Sequence, residues 1–477
     1  MTSVKKQLKS AIISSLLGKY ALYVFQLVSV AILARLFTPE DFGIVAAAQV
    51  FAMFFQMLAT SGLAPAIIYQ EKISEQMRDG VFSFSCILGI LLAILFFISA
   101  SSLHSWFGFG GGLVVFYTLA PCVLFASISM MPLASLQKDA KFIVIARAEI
   151  IAELGSFAAC IIASYYWSGI AALALKFLLV PVLRFISYYI LSVSTSIGRA
   201  SLGRELNQIL TLYQFAKYQV AFNILNFFAR NLDNILIAKY FGPSTLGVYE
   251  KTYQVMRYPL QLFTFAITPA LQPVLTKFKN DPSIVFKAYT DVAYKLALVG
   301  LFSATVIYWC AADIIFILFG DQWFDAVPYL QILALSIPVQ MVLSSTGGVF
   351  QAFGATKSMF LCGVFGSGAL MSSVIFGVLS KDLHILCMAL VVAYCANFIV
   401  CFYVLHKTIF IAQNVRRVLG VAMIISLVFL NVFFDSPSTI TSLSYLRSAG
   451  TIASTSLLAA LVVVIIYLST KRNWALK

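Results

Sequence analysis

Long apolar runs, cut by short clusters of charge, Gly and Pro, follow one another along the whole chain. They predict helical spans at about 11–34, 43–66, 81–101, 113–136, 143–166, 168–193, 212–237, 246–272, 288–311, 326–352, 357–379, 383–406, 415–434 and 447–469. The runs approach or exceed the ~20 residues that a helix needs to cross a hydrocarbon core of about 30 Å. Membrane barrels are built instead from short strands of alternating polarity. The pattern predicts an all-α polytopic membrane protein with about 14 transmembrane helices.

Between the first two runs stands Ala34-Arg35-Leu36-Phe37-Thr38-Pro39-Glu40-Asp41-Phe42-Gly43, and it returns as Ala238-Lys239-Tyr240-Phe241-Gly242-Pro243-Ser244-Thr245-Leu246-Gly247. A single offset sets Arg35 on Lys239, Phe37 on Phe241, Pro39 on Pro243 and Gly43 on Gly247, and carries Pro65-Ala66 onto Pro269-Ala270. Lys19-Tyr20 falls on Lys217-Tyr218 at a slightly shorter offset. In each copy Pro opens the following helix, Gly lets backbones pass closely, and the cation anchors the preceding helix at the headgroups. This is a structural reading of the turn rather than a direct substrate role. An even number of spans separates the copies, so both keep one orientation. Two parallel-repeat six-helix lobes are therefore expected, related by an axis along the membrane normal, with any site between them. The expected division is an N-lobe over 1–193, a cytoplasmic linker loop over 194–211, a C-lobe over 212–406 and two accessory C-terminal helices within 407–477.

Composition agrees with the pattern. Of 477 residues, 61% are hydrophobic and 10% charged, with a mean hydropathy of +0.95; soluble domains carry about 25% charged residues. The net charge of +14 raises the question of nucleic acid, but the basic residues lie in short loops, as membrane orientation requires. With the N-terminus inside, only Arg35, Lys239, Lys381 and Arg447 fall in outer loops, against twenty on the inner side. Both termini are thus expected in the cytoplasm, and no nucleic-acid partner is expected. The 8 Cys residues lie mostly inside apolar runs, without paired spacing or a Cys/His cluster, so neither disulfide nor metal is expected. The N-terminus, with Lys5, Lys6 and Lys9, lacks a small-residue cleavage site and reads as the start of the first span. No phosphate-cradling loop for a nucleotide is present, no cofactor is expected, and the outer loops are too short for a catalytic domain. The chain reads as a transporter, not an enzyme.

Eight cations remain inside the spans: Lys19, Lys176, Arg184, Lys217, Arg230, Lys251, Arg257 and Lys295. Each needs an explanation, because a central Lys or Arg costs about 2.5–3.5 kcal/mol on insertion scales and is kept mainly where it faces a cavity. Five acids accompany them, Glu149, Glu153, Asp233, Glu250 and Asp291. Arg230 with Asp233, Asp291 with Lys295, and Glu250 with Lys251 are close in sequence and read first as structural ion pairs. Lys19 and Lys217 are repeat-related and have no sequence-local acid. Two readings stay open for them: an anion site across a pseudo-twofold cavity, or snorkelling to the interface. Arg257, near the middle of its span and just before Pro259, is the strongest single candidate for a cavity cation. Glu149 and Glu153 share one face of the fifth span, with Arg184 on the sixth as their expected partner. Such a carboxylate either carries a coupling proton or, more plainly, neutralises the Arg.

The chain resembles the bacterial polysaccharide (O-antigen type, Wzx-like) flippases of the multidrug/oligosaccharidyl-lipid/polysaccharide exporter superfamily, and within it the colanic acid exporter-like branch. The resemblance rests on Ala34-Arg35-Leu36 through Asp41-Phe42-Gly43, Gly62-Leu63 to Gln70 with Ile73-Ser74, Asn231-Leu232-Asp233 to Gly247-Val248-Tyr249, and Phe319-Gly320-Asp321-Gln322-Trp323 with Pro328-Tyr329-Leu330-Gln331. The Lys19 position matches as well, and the likeness covers about 10–410. It implies an inner-membrane protein whose two lobes form a V and move an undecaprenyl-diphosphate-linked oligosaccharide to the periplasmic face by alternating access. Lys19, Lys217, Arg230 and Arg257 would then be the cavity cations, with Glu149, Glu153, Arg184 and Asp233 as coupling or charge-pairing groups. Membrane lipids, a polysaccharide polymerase and a chain-length regulator are the implied partners. One departure is visible: Thr60-Ser61-Gly62 stands where relatives tend to carry an acid before the Gly, so a coupling role for that acid does not transfer. Two rival readings are weighed against this one. A drug extruder of the same superfamily would want acids in its cavity, and a membrane-embedded polymerase or ligase would need a sizeable outer loop. The charge census disfavours the first, and the loop lengths and the repeat disfavour the second.

Overall fold

The computed structural model describes residues 2–60, 73–203, 209–278, 281–410, 420–422 and 425–426. Among them regular structure is helical throughout, with no strand. The helices are α1 (Thr2–Leu36), α2 (Pro39–Thr60), α3 (Glu75–Phe107), α4 (Leu113–Lys138), α5 (Phe142–Ser164), α6 (Gly169–Leu191), α7 (Ile209–Tyr240), α8 (Pro243–Thr276) and α9 (Pro282–Trp309). After the short α10 (Ala311–Leu318) come α11 (Ala326–Ala334), α12 (Ile337–Ala352), α13 (Thr356–Leu379) and α14 (Leu383–Thr408). The spans expected at 1 to 12 in chain order all appear as helices. The tenth is broken, α11 and α12 meeting at 52°. The expected spans at 415–434 and 447–469 lie almost wholly outside the described residues.

Seven described helices are long and apolar enough to cross a membrane, or eight if the bent α11–α12 pair is one span. Of the long helices outside that count, α5, α7 and α8 carry the intramembrane charges: Glu149 and Glu153, Arg230 and Asp233, Lys251 and Arg257. The chain is a multi-pass membrane protein.

Local chemistry sets the helix starts. Ahead of α2, the Thr38 amide donates to the Asp41 carboxylate at 3.0 Å and the Asp41 amide donates to the Thr38 hydroxyl at 3.2 Å. That is a reciprocal capping box with Pro39 in the first turn, where its missing N–H costs nothing. Ser74 caps α3 by accepting from the Met77 amide, and Asp281 caps α9 by accepting from Ser283 and Ile284 ahead of Pro282.

By contacts the chain divides into two compact units, Met1–Gly247 and Val248–Lys477. In the first, α4 is central, packing on α2, α3 and α6, while α5 packs on α6 and α1, and α7 lies along α2. In the second, α14 packs on α13 and α11, and α9 packs on α12 and α11.

Inside the first unit the two copies of the repeated turn meet. A Cβ built on Gly43 would lie 1.7 Å from the Pro243 carbonyl oxygen, and one built on Gly247 would lie 2.0 Å from the Pro39 carbonyl oxygen. The contact is reciprocal: the Gly of each copy takes the Pro carbonyl of the other. Only a hydrogen atom fits at either place, which is the close passage that the repeat implied. Beside it, Lys239 donates to the Trp106 carbonyl oxygen and lies 5.2 Å from the centre of the Trp106 ring.

The segment after α6, expected to be a linker, is strapped onto the helix ends as far as Gly203. Asp139 accepts from the Ser196 amide at 2.7 Å and hydroxyl at 2.5 Å, and Asp79 accepts from the Ser201 amide and hydroxyl, both at 2.9 Å. Arg78 donates to the Ile197 carbonyl oxygen at 2.8 Å while holding Asp79 at 2.7 Å. Ala200 is buried in a cluster with Val81, Phe82, Ile128 and Met131.

Candidate functional site

Within the first unit the charged groups lie on facing stripes of α5 and α6. The Lys176 ammonium donates to Glu153 Oε1 at 2.7 Å, with side chains only 7% and 6% exposed. The Tyr188 hydroxyl donates to Glu149 Oε1 at 3.2 Å. Arg184 lies between Lys176 and Tyr188 on the same face of α6, about two turns from the first and one from the second, and its buried Nε has no hydrogen-bond partner. The expectation that Arg184 partners Glu149 and Glu153 is therefore corrected in detail: Lys176 takes Glu153 and Tyr188 takes Glu149. Glu149 and Arg184 are equidistant in sequence from the outer turn, yet helix rotation, which spacing leaves free, decides the pairing. Lys176, about one turn from level with Glu153, has a stem long enough to reach it. A buried carboxylate bonded to a buried ammonium is neutralised in place, and breaking the pair would leave a bare charge in an apolar setting.

Two of the other candidates cannot be followed to their side chains. Lys19 lies on α1 and Lys217 on α7, and both side chains fall outside the described residues. Arg230 is exposed on α7, and Asp233 accepts from the Asn234 amide at 2.9 Å.

In the second unit, Arg257 is exposed on α8, and its guanidinium stacks 4.4 Å from the centre of the Tyr253 ring. The Tyr253 hydroxyl is hydrogen-bonded to that of Tyr394 on α14. An aromatic face held by a second phenol fixes the guanidinium plane. Lys251 is buried one residue from Glu250, at 3.7 Å, and donates to the Gln254 side-chain carbonyl oxygen at 3.3 Å. The Lys295–Asp291 pair on α9 is as short as the buried one, 2.7 Å, yet the side chains are 61% and 39% exposed. Lys176 stood among the intraspan cations without an assigned partner, and the Tyr253–Tyr394 brace was not singled out in sequence. Only the helical spacing of Tyr253 from Arg257 hinted at the second.

Among the described residues no group of three or more His, Cys, Asp or Glu side chains is placed to hold a metal ion. The polar chemistry on offer is fixed charge and aromatic faces, suited to binding and guiding a charged molecule.

Comparison with known proteins places this arrangement. The chain is 23% identical over 360 residues to the teichuronic acid biosynthesis protein TuaB of Bacillus subtilis, covering 76% of this chain and 74% of that protein. It is 25% identical over 379 residues to the succinoglycan biosynthesis transport protein ExoT of Rhizobium meliloti, covering 77% and 74%. In fold it matches the lipid II flippase MurJ in an inward closed conformation, with a TM-score of 0.74 at 16% identity over 97% of this chain and 100% of that one. Residues 32–328 match the family model described as polysaccharide biosynthesis protein. That stretch runs from the first copy of the repeated turn to the start of α11, and the chain belongs to the polysaccharide biosynthesis protein family.

Proposed function

We propose that this protein is a flippase that moves undecaprenyl-diphosphate-linked oligosaccharide repeat units across the bacterial inner membrane by alternating access, feeding capsule, exopolysaccharide or O-antigen synthesis. The observation that carries the reading is Arg257. Its guanidinium is exposed on a membrane helix and held in one plane by a braced Tyr253, so a charged ligand can reach it. A diphosphate is the group such a donor fork suits. Family membership supports the same role, as do the transport protein among the relatives and the flippase among the fold neighbours.

Arg257, Lys19, Lys217 and Arg230 are the proposed cargo-binding cations, and Glu149, Arg184 and Asp233 the proposed coupling or charge-pairing groups. Glu153, engaged by Lys176, serves structure in this reading. The division proposed is the N-lobe, linker, C-lobe and accessory helices given above, with both termini in the cytoplasm. A polysaccharide polymerase and a chain-length regulator are the proposed protein partners, and transport proceeds without chemistry on the cargo.

The test is a lipid analysis of a deletion strain beside its complemented parent. Accumulation of a single undecaprenyl-diphosphate oligosaccharide on the cytoplasmic face, with loss of surface polysaccharide, is expected. Appearance of the unpolymerised unit in the periplasm would overturn the reading in favour of a polymerase.

A further inference from the structure

Residues 192–208 join α6 to α7. Fully extended, that connection would span about 60 Å at about 3.3–3.6 Å per residue. α7 itself, with 32 residues, is about 48 Å long. A free connection of this length would put no limit on where α7 starts.

Most of it is not free. Lys141, at the turn into α5, donates to the Ser194 carbonyl oxygen and, at 3.0 Å, to its hydroxyl. Asp139 holds Ser196 and Arg78 holds the Ile197 carbonyl oxygen, while Arg199 stacks 5.0 Å from the centre of the Tyr189 ring. Asp79 holds Ser201, and the Gly203 amide donates to the Ser83 hydroxyl at 2.8 Å. A Cβ on Gly203 would lie 2.8 Å from Asp79 Cβ and 2.9 Å from the Asp79 carbonyl carbon, so this residue rests on the α3 backbone itself. The strap therefore runs from the end of α6, over the α4–α5 turn, to the N-terminal turns of α3.

The point from which the chain reaches α7 is thereby moved. It is Gly203 on α3, a helix that packs on α2 and α7, and not the end of α6. Only residues 204–208 stand between Gly203 and Ile209, and in any conformation they bridge at most about 20 Å. Just beyond its far end α7 is held as well, where Gly43 and Gly247 cross Pro243 and Pro39. About that end, a displacement of about 20 Å at a radius of about 48 Å is a swing of about 25°.

We propose that the 192–203 strap is a travel stop, which sets the upper limit of the swing of α7 away from α3 during the transport cycle. The tether and its length stand on the bonds alone; the cycle that it limits rests on the flippase reading. The fastening suits a load. Each carboxylate accepts an amide and a hydroxyl of one residue, and such charge-assisted bonds are roughly twice as strong as neutral ones. Ala200 is buried beside Val81 and Ile128, so a pull on Gly203 is shared among groups on α3, α4 and the turn into α5.

Two variants of the full-length protein in nanodiscs test the stop. In one, about twelve Gly and Ser residues are inserted between Gly203 and Arg204, which lengthens the tether and leaves every strap bond in place. In the other, Asp79→Asn with Asp139→Asn releases the strap without adding residues. Spin labels are placed at Gln76→Cys on α3 and Thr211→Cys on α7, in a chain whose native cysteines are replaced by alanine and that still exports. Pulsed dipolar spectroscopy should show an upper edge to the parental distances that both variants extend by at least about 10 Å. Both should slow export at least about threefold, and only the double Asn variant should melt lower. An insertion that changes neither the upper edge nor export would overturn the stop and leave the strap a local packing role. A longer upper edge with parental export would mean that the limit is never reached in transport, and would overturn the proposal equally. A longer edge in a protein whose deletion traps no lipid-linked oligosaccharide would keep the tether limit and remove the flippase reading.

Discussion

Gly43→Ala is the sharpest test of the paired turns. The new Cβ would sit 1.7 Å from the Pro243 carbonyl oxygen, where real Cβ contacts below 3.0 Å are essentially unknown. The backbones must therefore part by more than about 1 Å, and backbone, unlike a flexible side-chain tip, cannot swing aside. Overpacking of this kind costs about 1–3 kcal/mol, and a unit of this size loses roughly 2–4 °C in melting temperature per kcal/mol, so a fall of about 2–12 °C is expected. Gly247→Ala meets the Pro39 carbonyl oxygen at 2.0 Å and should do the same. Because each Gly takes the carbonyl of the other copy, either substitution opens the crossing for both. The double variant should then lose less melting temperature than the sum of the singles. Gly363→Ala is the control: its Cβ would meet nothing within 4 Å, and Ala is the better helix former. The assay is thermal unfolding of purified protein in detergent at one scan rate, since membrane proteins unfold irreversibly. An unchanged melting temperature in Gly43→Ala, or strict additivity in the double variant, would refute the reciprocal contact.

Three further outcomes are expected. Glu153→Gln alone should destabilise the first unit by about 3–5 kcal/mol by leaving Lys176 unpaired, while adding Lys176→Met should restore most of the loss, both read by detergent melting. Partial burial alone would raise the Asp139 carboxyl pKa, but bonds from the Ser196 hydroxyl and amide, with Lys141 and Lys138 nearby, hold it below the usual carboxylate value. Its contribution is thus present above the unfolded pKa of about 3.9 and lost as pH falls through the lower folded value. Proteolysis of the 192–203 strap should accelerate below about pH 4 in the parent, and Asp139→Asn should be cut faster already at neutral pH. Arg257→Gln should abolish export while the protein remains in the membrane at parental abundance, whereas Tyr253→Phe, which keeps the ring and loses the bond to Tyr394, should only weaken it.

The features most legible in sequence were those with a period or a repeat. Apolar runs located the helices because a membrane helix must satisfy its own backbone and hide it in side chains that are nearly all apolar. The repeated Pro–Gly turn pointed to close packing because nothing else explains Gly at both equivalent positions, Gly43 and Gly247. Pairing across helices was less legible. Glu149 and Arg184 share a depth, but depth leaves helix rotation free, and the structure turns α6 so that Lys176 and Tyr188 take the two carboxylates. The strap was hidden for a related reason: 194–203 is polar and rich in Ser and Gly, the composition of a free loop, and its order comes from Asp79 and Asp139 far away in sequence.

Exposure separates pairs that the sequence makes look alike. Asp291 and Lys295, four apart on one helix, had every mark of a routine structural bridge, while Glu153 and Lys176, on different spans, had none. Their bond lengths are the same, so geometry within the pair does not distinguish them. The distinction lies in what surrounds each. An enclosed pair is fixed by its packing, since separation strands two charges in a medium that cannot solvate them. An exposed pair is solvated from outside the fold, and its two charges can separate at little cost. Ion pairs in this protein therefore divide by enclosure: α5–α6 holds one that the fold depends on, and α9 holds one whose loss should cost the fold little.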